Sequence, residues 1–293
     1  MRLKKKAVEG ALNVVEYTVN KLVALYDEIS EYKRFQVNYR YKKGDIFLIS
    51  FPKSGTTMMQ MVLYQMFSSG DMDFTHIHHV CPYIELTDEE DELENIYTSR
   101  RIISSHEAYD RVPFSRAKYI YVLREPMDVL YSLFHHSRNL GFKGKFEEMM
   151  EVYFAGEYEN GLWSKHIKEW TSNVKGRDIH YVYYEDMISH KKREILKLFD
   201  FLDTTYDDEL VNRILHASSF EYMKSFEEKF DQVAKLKSIG KDVSGMVENN
   251  FLRKGVPGRG NEAFSLDMKK RLQSEFDTYL SGSSALGKYR PEF

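Results

Sequence analysis

Apolar positions run through this chain in two rhythms. Four short runs are continuously or nearly apolar: Ile46 to Phe51, Arg101 to Ser104, Tyr119 to Leu123 and Ile179 to Tyr183. Their length predicts strands buried on both faces. The helical period predicts helices over Thr56 to Phe67, Pro126 to Arg138, Phe146 to Tyr153, Leu162 to Trp170, Lys192 to Leu202, Asp207 to Leu215 and Leu266 to Leu280. Strands alternating with helices predict an α/β fold, a parallel sheet flanked by helices. Ligands of such sheets sit beyond the carboxyl ends of the strands.

Two stretches depart from this alternation. In residues 7 to 33, Val8, Leu12, Val15, Val19, Leu22, Tyr26 and Ile29 recur at spacings of four and three. This predicts one amphipathic helix, whose apolar stripe packs on the protein's own body or, as alternatives, on a second copy or a membrane surface. Phe230 to Asn261 carries five glycines and several lysines and arginines with little periodicity. A structureless segment this long inside a domain is usually functional or disordered. No Pro- or Ser-rich linker divides the 293 residues, so one domain is expected.

Composition narrows the function classes. Net charge is −3, so no global basic field argues for nucleic acid. Cys81 is the only cysteine, which excludes an intrachain disulfide and fits a reducing compartment. The basic start, Met1 to Lys6, is followed by no uninterrupted apolar stretch, and none approaches the roughly 20 residues of a membrane span. A cytoplasmic protein is expected.

The chemistry concentrates in SFPKSGTTMMQM, residues 50 to 61. A strand leads into this loop and a helix leads out, so backbone N–H groups at a helix N-terminus face whatever binds there, and the dipole favours an anion. Lys53 adds a charge, Ser54, Thr56 and Thr57 add hydroxyls, and Gly55 permits close backbone approach. The alternative is an ordinary strand-to-helix turn, which does not need these five residues in succession. The loop is not the GxxxxGK[ST] of nucleoside-triphosphate sites: its first glycine is missing and Lys53 precedes Gly55. No clear acidic partner for a magnesium ion follows the strand Tyr119 to Leu123. The loop therefore predicts handling of a phosphate-type group without a metal.

FPKSGTT resembles the 5′-phosphosulfate loop of the cytosolic sulfotransferases, which use 3′-phosphoadenosine 5′-phosphosulfate (PAPS) and release 3′-phosphoadenosine 5′-phosphate (PAP). Four further segments agree in order: YIYVLREPMDVLYSLFHH at 119–136, YVYYEDM at 181–187, HASSFEYMK at 216–224 and FLRKGVPG at 251–258. The match runs from about Gly44 to Leu280. The resemblance implies the P-loop-like sulfotransferase fold, with residues 1–43 as a helical extension and 230–262 as a segment closing over the ligands. It implies PAPS contacts by Lys53, Ser54, Gly55, Thr56, Thr57, Met58, Arg124, Ser132, Tyr184, Ser218, Phe220, Leu252, Arg253, Lys254 and Gly255. It also implies His106 as general base, Lys53 and Ser132 as its catalytic partners, and Tyr83 and His136 at the acceptor site. The implied acceptor is a small-molecule hydroxyl or amine.

Four departures from the family pattern matter. Ser104 stands where the family usually has Lys, which predicts one cation fewer near the transferred group. Met58 replaces a Trp that stacks on adenine. Arg259 and Gly260 replace Asp and Trp. The family's short dimer motif is not met by NEAFSLDMKK, so a homodimer of the familiar kind is in doubt. His135 and His136 stand where aromatics often line the acceptor site, which suggests a more polar acceptor. The HxHHxC array, His76 to Cys81, predicts a polar loop near the pocket mouth rather than a metal site, because His78 and His79 cannot share one strand face. Two rival readings stand beside the enzyme: a PAP- or PAPS-binding protein with little turnover, and a small-molecule kinase.

Overall fold

The computed structural model describes residues 39–68, 70, 72–86, 98–113, 115–253, 255–282 and 284–290. The helix expected over residues 7 to 33 and the side chain of Lys254 lie outside them. Among the described residues, four strands form one parallel sheet. They are β1 (Ile46–Ser50), β2 (Ile102–Ser105), β3 (Lys118–Leu123) and β4 (Asp178–Tyr183), in the order β2-β1-β3-β4. The helices are α1 (Thr56–Phe67), α2 (Pro126–Asn139), α3 (Phe146–Phe154), α4 (Trp163–Ser172), α5 (Tyr184–Ser189), α6 (Lys191–Phe201), α7 (Asp208–Ala217), α8 (Phe220–Ser225), α9 (Gln232–Ser238), α10 (Gly260–Ala263) and α11 (Leu266–Leu280). No described helix is long and apolar enough to cross a membrane.

Strand alternation sorts the core into two layers. Phe47, Ile49, Tyr119 and Tyr121 face one side and pack with Trp163 and Trp170 of α4 and Leu272 and Phe276 of α11. Ile46, Leu48, Ile120 and Val122 face the other and pack with α1, α6 and α7. Both faces are apolar, as a fully covered parallel sheet requires. At the sheet's amino edge, Asp45 accepts from Arg101 Nε (2.7 Å) and Nη2 (2.6 Å), from Tyr39 Oη (2.8 Å) and from the Lys42 N–H (2.9 Å). This buried clasp ties the entry of β1 to that of β2. The register it accompanies pairs Ile49 with Ser105, so His106 emerges beside Ser50 at the carboxyl edge.

The strand order reverses about β1, because β2 lies on one side of it and β3 on the other. Loops leaving β1 and β3 diverge there and leave a crevice, the usual ligand site of such sheets. These two loops carry Lys53 and Arg124.

The segment from 230 to 262 is more ordered than its composition predicts. Asp231 caps α9 by accepting from the Val233 N–H (2.9 Å). Asp128 of α2 accepts from the N–H groups of Gly258 (2.6 Å) and Gly260 (2.7 Å) at the far end. Gly260 permits this clasp, since a Cβ there would lie 2.2 Å from the Met127 carbonyl carbon. Its place in the sequence, where a Trp is usual, is thus explained by backbone contact with α2. Gly260→Ala should lower stability by about 1–3 kcal/mol, the range for overpacking, read from the urea midpoint. Gly282→Ala, whose added Cβ meets nothing within 4 Å, should leave that midpoint unchanged.

Candidate active site

The loop after β1 turns tightly: the Ser54 N–H donates to the Phe51 carbonyl (3.3 Å), and Lys53 (φ 67°) and Gly55 (φ 105°) are both left-handed. A Cβ on Gly55 would sit 2.4 Å from the Tyr184 ring, so only glycine fits against that aromatic. Helix α1 starts at Thr56 with no side chain capping it and no acidic residue in its first turn. Its N-terminal N–H groups are left to an anion. The Ser54 hydroxyl is buried with no hydrogen-bond partner among the described residues. A buried hydroxyl left unpaired is costly, and an anion in the loop would relieve it.

A cavity of about 700 Å³ opens on this loop. Lys53, Gly55, Thr56, Thr57 and Met58 line it from β1 and α1, Arg124 and Ser132 from β3 and α2, and Tyr184, Ser218 and Phe220 from α5 to α8. Leu252, Arg253 and Gly255 close it from the 230–262 segment. The structure thus brings together the nucleotide-site residues expected from the sequence, apart from Lys254 and from Ser54, which lies behind the wall.

Lys53, Arg124 and Arg253 meet in this cavity, and Lys191 and Arg259 also lie on its wall. Arg124 donates to the Lys53 carbonyl (3.0 Å), lies 4.3 Å over the Tyr184 ring and approaches Asp128 (3.6 Å). Arg253 lies 4.8 Å over Tyr131, and the Lys53 ammonium lies 4.1 Å over Phe251. Burial first, then Arg124 and Arg253, push the Lys53 ammonium down to about 7. Glu185 of α5 accepts from the Glu125 N–H (2.9 Å) and so holds the turn that presents Arg124. Lys224 of α8 donates to the Leu252 carbonyl (2.8 Å), and Glu227, just past that helix, accepts from the Leu252 N–H (2.7 Å). Glu185 and Lys224, both within the family-like segments, brace the site rather than line it.

The other end of the cavity is lined by His106, Tyr83, His136, His78, Glu85 and Glu107. His106 Nδ1 lies 2.9 Å from the Ser50 carbonyl oxygen. The Ser50 hydroxyl stands farther off, 3.3 Å from the same nitrogen. The nearer carbonyl can only accept, so the geometry favours the tautomer with the hydrogen on Nδ1 and a lone pair on Nε2. Burial, with Lys53 nearby, pushes His106 down to about 4. The His106 N–H donates to Glu85 Oε1 (2.8 Å), and the Tyr83 ring stands 4.9 Å from the imidazole. Burial and then Lys53 push His136 down to about 2.

One sequence expectation is corrected, and Ser104 finds its place. Ser104 is not among the cavity residues: it is fully buried, and its hydroxyl accepts from Gln60 Nε2 (2.9 Å). His135, expected at the acceptor site, packs instead against Tyr131, with ring centroids 4.6 Å apart, while Ser132, Leu133, His136 and Ser137 of the same helix line the cavity. The upstream histidines part company. His76 Nδ1 accepts from the His78 N–H (3.2 Å), Thr75 Oγ1 meets His79 Nδ1 at 2.7 Å, and of the three only His78 lines the cavity. Glu85 stands two residues past Tyr83 in CPYIE, residues 81–85, and nothing in the sequence marked it as a partner of His106. Glu107, Tyr158, Glu159 and Asn160, also cavity residues, gave no signal of their own.

Comparison with known proteins bears on this cavity. The family model described as "Sulfotransferase domain" matches residues 43–284. The chain is 29% identical to mouse sulfotransferase 1B1, covering 82% of this chain and 84% of that protein. It is 30% identical to rabbit (Oryctolagus cuniculus) amine sulfotransferase, covering 82% and 81% respectively. Mouse sulfotransferase SULT7A1, solved in complex with PAP, superposes with a TM-score of 0.68 at 25% identity, over 86% of this chain and 89% of that one.

The displaced Lys53 pKa has a measurable sign. Lys53 sits at about 7 against the usual 10.5, so between those values the unfolded chain keeps a proton that the native lysine has lost. Stability of the free protein should therefore rise with pH across that window. An anion in the cavity favours the ammonium, so PAP binding should take up a proton there and weaken as pH rises. Calorimetry in buffers of different ionisation enthalpy, near pH ~8, measures the uptake, and Lys53→Met should abolish it.

Proposed function

The chain belongs to the sulfotransferase family, and from that premise we propose that it transfers a sulfuryl group from PAPS to a hydroxyl or amine of a small molecule, with His106 as general base. The observation that carries this reading is the 2.9 Å contact of His106 Nδ1 with the Ser50 carbonyl oxygen. It favours a hydrogen on Nδ1 and leaves Nε2 to take a proton at a cavity wall that His106 shares with Lys53. As the acceptor loses its proton to Nε2, its oxygen or nitrogen bonds to sulfur. The bond from sulfur to the 5′-phosphate oxygen breaks, and PAP leaves with the electron pair. Positioning and charge stabilisation do most of the work in such transfers. Lys53 offers an ammonium to the departing oxygen, and the uncapped start of α1 offers N–H groups to the 5′-phosphate.

In this reading Arg124, Ser132, Arg253 and Lys254 hold the 3′-phosphate. Tyr184, Phe220 and Met58 hold the adenine, and Gly255 lets Phe220 approach the chain: a Cβ there would lie 2.6 Å from that ring. Ser54, Thr56 and Thr57 donate to the phosphosulfate, while Ser218 and Leu252 complete the wall. Tyr83 and His136 border the acceptor. Residues 230–262 close the cavity of a single domain, to which residues 1–43 add an extension. The neutral histidines beside His106 and the name of the rabbit relative, an amine sulfotransferase, support an acceptor more polar than a plain phenol.

PAP should raise the melting temperature, because it binds the native state alone. ATP with magnesium lacks the 3′-phosphate and should do much less; equal shifts would favour a kinase. His106→Ala should lose about two to four orders of magnitude in transfer of labelled sulfate to a pool of phenols, alcohols and amines. Its PAP affinity should stay near wild type. A wild-type protein that binds PAP tightly yet transfers to no member of the pool would point to the binding protein instead.

A further inference from the structure

His166, in the middle of α4, is a buried titratable group that the transfer chemistry above does not use. Its Nε2 lies 3.2 Å from the His106 carbonyl oxygen and 3.1 Å from that of Glu107. Both oxygens can only accept, so Nε2 bears the hydrogen. In a neutral ring Nδ1 must then accept, and Tyr121 Oη stands 2.7 Å away as its donor. Burial and His106 push His166 down to about 4, which agrees with a neutral ring. One tautomer is thus fixed from both sides, running from the centre of β3 through α4 to the backbone of the base.

The peptide of His106 is gripped at both ends. Its N–H donates to Glu85 Oε1 (2.8 Å) and its carbonyl accepts from His166, while its own Nδ1–H donates to Ser50 (2.9 Å). Residues just past a strand end have no ladder to hold them, because β2 stops at Ser105. An imidazole on such a connection would swing unless side chains fixed its backbone. The Glu107 carbonyl has a second donor in Trp170 Nε1 (3.1 Å), whereas His166 is the donor found for the His106 carbonyl.

We infer that His166 is a positioning residue for the base: by clamping the His106 carbonyl it fixes where Nε2 points and so sets the rate of transfer. The inference rests on His106 being the base. His166→Phe keeps the ring volume and removes the donor. His166→Gln keeps an amide N–H about where Nε2 lies, and His166→Asn is too short to reach.

The test measures kcat, the KM for PAPS and PAP affinity with labelled PAPS and the best acceptor of the pool, alongside 15N spectra of histidine-labelled protein. His166→Phe should lower kcat by about 10- to 100-fold, the size of effect a small misplacement produces, with KM for PAPS and PAP affinity unchanged. His166→Gln should recover most of the rate. Trp170→Phe, which removes a donor only from Glu107, should keep kcat near wild type. In the spectra, which need no acceptor, the wild-type His106 ring should be a single Nδ1–H tautomer and become a mixture in His166→Phe. If His166→Phe does not fold, a fast Gln variant beside a slow Asn variant supports the inference, and equal rates overturn it. A wild-type kcat with an unchanged tautomer in His166→Phe overturns it too, as does an equal loss in Trp170→Phe. If His106→Ala transfers as fast as wild type, the base reading fails and this inference with it. If His106→Ala is slow and His166→Phe is not, only the positioning role falls.

Discussion

Lys53, Arg124 and Arg253 repel one another across one cavity, and the chain has to hold them together with its own groups. It does so by laying each on an aromatic face: Lys53 on Phe251, Arg124 on Tyr184 and Arg253 on Tyr131. Cation–π contacts are worth roughly 0.5–2 kcal/mol each, too little to cancel repulsion between buried charges. Lys53 is the group that yields: burial first, and then Arg124 and Arg253, push its ammonium down to about 7. Much of the surrounding architecture follows. Gly55 is glycine so that Tyr184 can come close enough to carry Arg124. The 230–262 segment returns to α2 so that Phe251 and Arg253 reach the wall, and Asp128 fastens it there while standing 3.6 Å from Arg124.

The other end of the cavity is built on the opposite principle. His106, His136 and His78 are all held in their neutral forms, by burial first in each case. Lys53 adds to this for both His106 and His136, so the two ends are coupled through one ammonium. In the proposed reading, a phosphosulfate lying on Lys53 would screen that influence, and His106 would hold a proton more readily with donor bound than without. Donor binding would in this way prepare the imidazole to accept the acceptor's proton. Burial, the larger cause, would still keep His106 neutral before the acceptor arrives. A base that is neutral at rest and strengthened by its co-substrate loses little to competing protons at neutral pH.

The sheet was legible because its strands are short apolar runs, and each observed strand lies within one residue of its predicted bounds or nearly so. The anion loop was legible because its residues are consecutive: Lys53 to Thr57 state their chemistry without any tertiary information. Helix α9 was not, because it is a single short element whose capping by Asp231 outweighs a weak periodicity. His135 was misplaced for another reason. It sits beside His136 on α2, and which of the two faces the cavity depends on how the helix is turned. The burial of Ser104 behind Gln60 depends on a contact 44 residues away in sequence. Glu85 and His166 were invisible as partners of His106. The contacts bridge 21 and 60 residues, and nothing local in CPYIE or SKHIKEW announces them.

Ser104 shows how a change of charge is absorbed rather than left as a gap. The position is fully buried, and its hydroxyl accepts from Gln60, whose amide also donates to the Cys81 carbonyl (3.2 Å). This neutral lock joins β2 to α1 and to the lip that carries Tyr83 and Glu85. A lysine in its place would have to displace Gln60 or reach past it toward the cavity. The missing cation therefore came with a rebuilt wall, and its absence says little about catalytic strength by itself. What remains at the point of transfer is one ammonium that gives up its proton easily, a helix end with its N–H groups free, and a neutral imidazole with one nitrogen committed. Such a set stabilises charge where it develops, on the leaving oxygen, and places little fixed charge where the acceptor enters. In the proposed reading, selectivity for the acceptor would fall to the neutral and acidic groups at that end of the cavity, His78, Tyr83, Glu85, Glu107 and His136, rather than to the cations proposed to hold the donor.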